Sequence, residues 1–310
     1  MARKRKGDPV HGWLVLDKPA GMSSAQAVAR VRRLFNAAKA GHAGTLDPLA
    51  TGVLPIALGE ATKTVGFVQN GEKAYRFTLR WGEARDSDDA EGRLVATSDV
   101  RPPESALRAA LPAFVGAIEQ VPPAFSAIKV GGRRAYALAR ADAAPELAAR
   151  SVVVDAFDLV DLPDPDHAVF EVRCGKGVYI RSLARDLAIR LGTLGHVTAI
   201  RRTRVGRFLL DHAIGLAKLD AMGHIPDRME AVLPVETALD DIPALALTAL
   251  QADYLRHGRP VKVVSTDCLF AEIGDLNEGR VVCAMTDGRP VALARFVAGE
   301  IRPMRVLNLE

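Results

Sequence analysis

The spacing of apolar and polar positions changes several times along this chain, and each change marks an element. Residues 12–17 (GWLVLD) are a short apolar run closed by KPAG at 18–21, the pattern of a strand ending in a turn. Ser23 with Gln26 three positions on makes a capping box, after which Val28, Val31, Leu34 and Phe35 recur at helical spacing. Residues 41–52 are rich in turn formers and lead into a strand-like run at 53–58. Residues 75–81 alternate as a half-buried strand does, 103–114 read as helical, and 150–162 and 168–174 predict strands around an acidic, proline-broken turn. Over 180–191, Leu183, Leu187 and Leu191 share one face of an amphipathic helix whose other face carries Arg181 and Arg185.

The pattern shifts again at DDIP, residues 240–243. Beyond it lie a short helix at 252–257 and strand-like runs at 261–264, 268–273, 280–285 and 291–296, with Asp287 and Gly288 forming a hairpin turn. That is a small β domain of about seventy residues, within the usual size range. Ahead of it, many strands and few intervening helices favour an α+β sheet over a doubly wound parallel one.

Composition narrows the reading. With 310 residues, 49% of them hydrophobic and 25% charged, the chain is long enough for two packed cores and too apolar for disorder. The longest uncharged stretch, 48–59, is far shorter than the roughly 20 residues a membrane-spanning helix needs, and the basic start has no apolar segment behind it. A cytoplasmic protein with no membrane partner is expected. Cys174, Cys268 and Cys283 are odd in number and widely spaced, which fits buried thiols rather than a disulfide framework.

The net charge of +4 equals the four basic residues among the first six, so the remainder is neutral and only clustering matters. Residues 173–207 hold nine basic side chains (Arg173, Lys176, Arg181, Arg185, Arg190, Arg201, Arg202, Arg204, Arg207) against Asp186 alone. Lys129, Arg133, Arg134 and Arg140 make a second basic patch, while 83–91 and 155–171 are acidic. Such segregation is what a face for a polyanion requires, although solvated surface charges also produce it.

Phosphate-binding loops, dinucleotide fingerprints, zincin motifs and paired cysteines at metal spacing are all missing, so the expected chemistry uses side chains alone, with no cofactor and no metal. The glycine-rich segment 40–52 places His42 five residues before Asp47. Taken alone, Asp47 before Pro48 fits a turn initiator or helix cap as well as a catalyst, and His42 fits a hydrogen-bonded structural role. Arg181 opens a helix where it could pair with a carboxylate. Tyr75 and Tyr179, each flanked by basic residues, suit either base stacking or packing against a sheet.

GHAGTLDPLATGVLPI (41–56), with LDKPAG (16–21), GEATK (59–63), KAYRF (73–77), PPAFSAIK (122–129), RAY (134–136) and GVYIR (177–181), closely resembles the TruB family, the bacterial tRNA pseudouridine-55 synthases. The match runs in order across about residues 10 to 210. The resemblance implies the pseudouridine synthase fold, a mixed and mainly antiparallel central sheet with flanking helices, followed by a PUA-like domain. It implies a basic tail over 1–9, a catalytic domain over 10–240 with a mobile thumb at 122–150, and an RNA-binding domain over 241–310. Asp47 would be the catalytic aspartate, Arg181 its partner, and Tyr75 the ring that stacks on the target uracil and acts in deprotonation. His42 would lie beside the flipped nucleotide, Tyr179 and Ile200 would line the base pocket, and Lys63 would contact a phosphate. Ile200 departs from the leucine expected there, a swap that preserves a pocket wall at under ~1.5 kcal/mol. Lys18 and Pro19 belong to a structural motif.

The expected activity is therefore conversion of uridine to pseudouridine at position 55 in the T-loop of tRNA, by a monomer acting without guide RNA. Two other readings share parts of the pattern: a non-catalytic RNA-binding or RNA-folding protein that depends on Arg201 and Arg202, and a subunit of a guide-RNA-dependent complex. Loss of product with Asp47→Asn marks the enzyme, whereas loss of function on charge reversal at Arg201 and Arg202 marks the RNA-binding protein.

Overall fold

The structure, a computed structural model, describes residues 7–126, 128–130, 133–134, 147–263 and 277–309. Most of the expected thumb, and the run at 268–273 with Cys268, lie outside these residues. The elements that organise the site are β1 (Gly12–Lys18), α1 (Ser24–Leu34), β2 (Thr51–Leu58), β3 (Lys73–Trp81), β4 (Gly116–Gln120), β5 (Arg150–Asp164), β6 (His167–Cys174), α2 (Ile180–Arg190), β7 (Gly195–Val205) and β8 (Ile214–Gly215). Together with three short strands they form one eleven-stranded sheet in the order β8-β1-β2-β7-β3-β6-β5-β4. The β1–β8 and β2–β7 pairs are parallel and the other pairs along this path are antiparallel, which makes the sheet mixed and mainly antiparallel.

Strand periodicity explains where the sheet is covered. In β1, Leu14 and Leu16 enter one core while Trp13 and Val15 enter another, and β2 divides likewise between Leu54, Ile56 and Leu58 and the pair Val53 and Ala57. Both faces are buried at this end, which is why β1 reads as a continuous apolar run. Toward β4 only one face is covered: Phe77, Leu79 and Trp81 of β3 join the larger core with Phe157 and Phe170. Phe77 and Phe170 stack at a centroid separation of 5.3 Å, a contact worth about 0.5–1.5 kcal/mol beyond area burial. Helix α1 begins as its spacing predicts, with Ser23 and Gln26 exchanging both capping-box hydrogen bonds.

Further on, β9 (Ala244–Ala246), α3 (Ala249–Arg256), β10 (Val261–Lys262), β11 (Val281–Thr286), β12 (Arg289–Val297) and β13 (Glu300–Val306) build a separate five-stranded sheet in the order β9-β11-β12-β13-β10. Asp287 and Gly288 take φ of 49° and 73°, the left-handed pair a two-residue hairpin demands. Leu245, Leu255, Val282, Ala292, Ala294 and Ile301 form this sheet's own core. The two sheets meet where Lys63 Nζ donates to the Val306 carbonyl at 2.6 Å and Asn308 N donates to Glu60 Oε2 at 2.9 Å.

Several expectations change. Of the tail placed over 1–9, residues 7–9 are docked: Asp8 N donates to the Asn36 carbonyl at 2.6 Å and Asp8 O accepts from Ala38 N at 2.9 Å. On the polar face of α2, Arg181 is buried while Arg185 is only partly covered. β7 and β13 have no counterpart in the sequence reading. Two register shifts break the alternation of β7, while charged residues and Pro303 mask β13.

Gly52 sits where β2 passes β7 at φ +97°, and a Cβ there would lie 2.2 Å from the Arg202 carbonyl oxygen. Gly52→Ala is expected to cost about 2–5 kcal/mol from backbone strain and overpacking combined, read as a lower urea midpoint.

Candidate active site

The loop between α1 and β2 carries Asp47 and is pinned on both sides of it. Ser24, buried at the start of α1, accepts from Leu46 N at 2.8 Å and donates to the Leu46 carbonyl at 3.0 Å. On the other side, the Pro48 carbonyl accepts from Gly21 N at 2.9 Å and from Lys18 Nζ at 3.3 Å. Lys18 is fully buried at the end of β1 and also donates to the Pro19 and Met22 carbonyls at 2.7 Å each. Burial pushes its ammonium down to about 8, against the nearby Asp47 and Glu91 carboxylates, which favour the charged form.

Asp47 itself stays open, with 38% of its side chain exposed, and its Oδ2 lies 3.0 Å from Nε of Arg181. Arg181 opens helix α2, and its side chain is 4% exposed. Both of its terminal nitrogens are engaged: Nη1 by the Ser87 carbonyl at 2.7 Å and by Asp89 at 3.4 Å, Nη2 by the Phe125 carbonyl at 2.8 Å. Asp89 is also buried and accepts from Ser87 Oγ at 2.6 Å and Glu91 N at 3.1 Å. A desolvated guanidinium held in this way cannot swing, so it fixes where the Asp47 carboxylate points. Among the described residues, no other side chain pairs with that carboxylate.

The remaining predicted residues gather around this pair or stand apart from it. Tyr75, half-buried on β3, faces Arg202 across the sheet, and burial pushes its phenol up against the opposing effect of that guanidinium. Tyr179 is the N-cap of α2, where its backbone exchanges hydrogen bonds of 2.8 and 3.1 Å with the Gln120 side chain. Burial raises its phenol as well, Arg150 opposes the shift and the Asp47 carboxylate adds to it. His42 is held below the usual histidine range by burial and by Arg202, so it is a neutral imidazole at pH 7, and its Nδ1 is buried without a hydrogen-bond partner. Ile200 is buried opposite Phe77. Lys63 lies past the far end of β2 from Asp47, about 26 Å along an eight-residue strand, and its ammonium is shared by Glu60 and Val306.

The basic count at 173–207 also takes a different form. Arg181 and Arg202 are buried, while Arg185, Arg201, Arg204 and Arg207 pair with Asp88 and Asp186, Asp17, Glu72, and Asp240 and Asp241. Arg173, Lys176 and Arg190 remain exposed. Charge reversal at Arg202 would therefore disturb the interior of the site, and at Arg201 the ion pair with Asp17, before any surface for phosphate. Asp89, Ser87 and Ser24 are site residues the sequence reading did not single out, and Arg202 entered it only as part of a basic surface. The available signal for Asp89 was the acidic stretch 83–91, which matches the Arg181–Arg185 helix in charge. Among the described residues, no cluster of three or more His, Cys, Asp or Glu could hold a metal, and no helix is long and apolar enough to cross a membrane.

Two outcomes follow from this packing. Arg181→Met leaves Asp89 buried without its cation and should cost about 3–5 kcal/mol in urea unfolding, with Asp89→Asn in the same chain restoring part of the loss. Folded Lys18 releases its proton near pH 8 and the unfolded chain near 10.5, so between these values the unfolded state holds more protons. Wild-type stability measured relative to Lys18→Met should accordingly rise from pH 8 to 10.5, and a flat difference would contradict the buried-ammonium assignment.

Residues 32–180 match the TruB family pseudouridylate synthase N-terminal domain, and residues 181–240 match the tRNA pseudouridylate synthase B C-terminal domain. The tRNA pseudouridine synthase B of Rhodospirillum rubrum is 52% identical over 309 residues, 100% of both chains. That of Gluconacetobacter diazotrophicus is 55% identical over 98% of this chain and 100% of its own. Among solved structures, a chain from a Cbf5-Nop10-Gar1 complex aligns with a TM-score of 0.71 and 25% identity, covering 100% of this chain and 90% of that one. With its fold, its motifs and its full-length relatives in agreement, the chain belongs to the TruB family of pseudouridylate synthases.

Proposed function

We propose that this chain converts uridine to pseudouridine at position 55 in the T-loop of tRNA, with Asp47 as nucleophile and no cofactor. The observation that carries the reading is the ion pair itself: an open carboxylate 3.0 Å from a guanidinium that is buried and held at both terminal nitrogens. The reaction breaks the N1–C1′ bond, turns the base and joins C5 to C1′. The C5 proton is lost and N1 gains one, so neither redox partner nor water is consumed. Asp47 adds to C6 of the uracil or to C1′ of the ribose, or takes a proton to form a glycal. Arg181 keeps it aimed in each case.

A uridine inside a folded loop has to leave its stack before Asp47 can reach it, at a cost of a few kcal/mol. Tyr75 offsets part of that cost by stacking on the extruded base, while Tyr179 and Ile200 line its pocket and neutral His42 lies beside it. Lys63, at the junction of the two sheets, contacts a tRNA phosphate. Residues 10–240 form the catalytic domain, with the thumb at 122–150, and residues 241–310 a PUA-like domain that holds a second part of the RNA. The protein acts as a cytoplasmic monomer on the T-stem-loop, without guide RNA. Full-length identity to relatives named as tRNA pseudouridine synthases supports the substrate.

Release of tritium from C5-labelled uridine in a tRNA transcript tests the reading. Wild-type protein should release it and Asp47→Asn should not, while both retain the tRNA on a filter. Undiminished release by Asp47→Asn removes Asp47 as the nucleophile.

A further inference from the structure

Arg202 is the second fully buried arginine near Asp47, with a relative exposure of 1%. No carboxylate among the described residues lies within 4 Å of it. Instead its donors go to backbone: Nε to the Val53 carbonyl at 2.8 Å, Nη2 to Gly44 at 3.1 Å and Nη1 to Thr45 at 3.3 Å. Leaving a buried cation without an anion is expensive, and evolution has simpler ways to tie down a loop.

Its place in the sheet explains what the charge can do. Arg202 lies on β7 directly opposite Tyr75 on β3 and, on the other side, opposite Gly52 on β2. Directly opposed residues of an antiparallel pair project from the same face with Cβ atoms about 4.5–5.5 Å apart. The register sets the guanidinium beside Tyr75, and from that position its hydrogen bonds reach across to the loop carrying His42 and Asp47. A planar fork with five donors can serve three carbonyls and a hydroxyl at once, whereas a lysine ammonium has three donors at a single point.

We propose that Arg202 is a positioning residue: its buried guanidinium, held by the Gly44 and Thr45 carbonyls and donating through a further N–H to the hydroxyl of its register partner Tyr75, sets the distance between the stacking ring and the Asp47 carboxylate. Arg181 aims the carboxylate, and Arg202 spaces the loop that bears it from the ring opposite. The inference rests on the catalytic reading of Asp47 and Tyr75. Asp47→Asn abolishes turnover under that reading whatever Arg202 does, so a failure here leaves it standing.

The test is a double-mutant cycle of single-turnover rates at saturating tRNA, using wild type, Arg202→Lys, Tyr75→Phe and the double variant. Arg202→Lys should slow the reaction roughly ten- to a hundredfold, as a misplacement of about 1 Å does, with tRNA affinity kept within about threefold. In the Tyr75→Phe background the same change should cost at least about fivefold less, because the contact it disrupts is already gone. An unchanged rate, an equal penalty in both backgrounds, or an affinity loss as large as the rate loss would each overturn the proposal. Should Arg202→Lys not fold, wild type and Tyr75→Phe suffice. The Arg202 Nε–H resonance, assigned through bonds by ¹⁵N NMR, should be slow to exchange and should move when the hydroxyl is removed, and an unmoved resonance overturns the proposal.

Discussion

A guanidinium removed from water must have its donors satisfied or the fold loses several kcal/mol, and Arg181 meets that demand in a way that dictates the site. It draws on Ser87 and Asp89 from one segment, Phe125 from a second and Asp47 from the loop between α1 and β2. Three stretches of chain far apart in sequence are thereby fixed relative to helix α2. Of the two carboxylates in this set Asp89 is buried and Asp47 stays open, so the energy that organises the cluster also orients the one that solvent reaches.

The same principle recurs on the other side of the loop. Lys18, Ser24 and Arg202 all act on backbone atoms at positions 44 to 53, and each is buried. A loop built from GHAGTLDPLATG has little side-chain bulk of its own with which to pack. Its shape is imposed from outside by polar side chains on β1, α1 and β7. That division suits the proposed function: the geometry of the one carboxylate assigned as nucleophile depends on buried hydrogen bonds that are stronger in a low dielectric than in water.

Much of this was legible wherever a single physical pattern dominated a stretch of chain. The capping box fixed the start of α1, alternation marked β3, and the Asp287–Gly288 pair marked the second sheet's hairpin. The motif segments identified Asp47, Tyr75 and Arg181 through resemblance. What escaped was tertiary in origin. β7 lies in the middle of the sheet, yet its bulges break the period of two, and one of its inward positions is an arginine that a charge count assigns to the surface. Arg201 and Arg207 entered the same count, although both are paired with carboxylates. Asp89 was hidden in an acidic stretch for the complementary reason. A sequence shows how many charges a segment holds, and only packing shows which of them face each other instead of solvent.

The most direct measurement of the central claim is a crystal structure of the Asp47→Asn protein with a T-stem-loop RNA. The account predicts the target uridine out of its stack, its ring against Tyr75, and C6 or the ribose within about 3.5 Å of the side chain at position 47, with Arg181 unmoved. A uridine still stacked in the loop, or a bound base with position 47 directed away from it, would contradict the account.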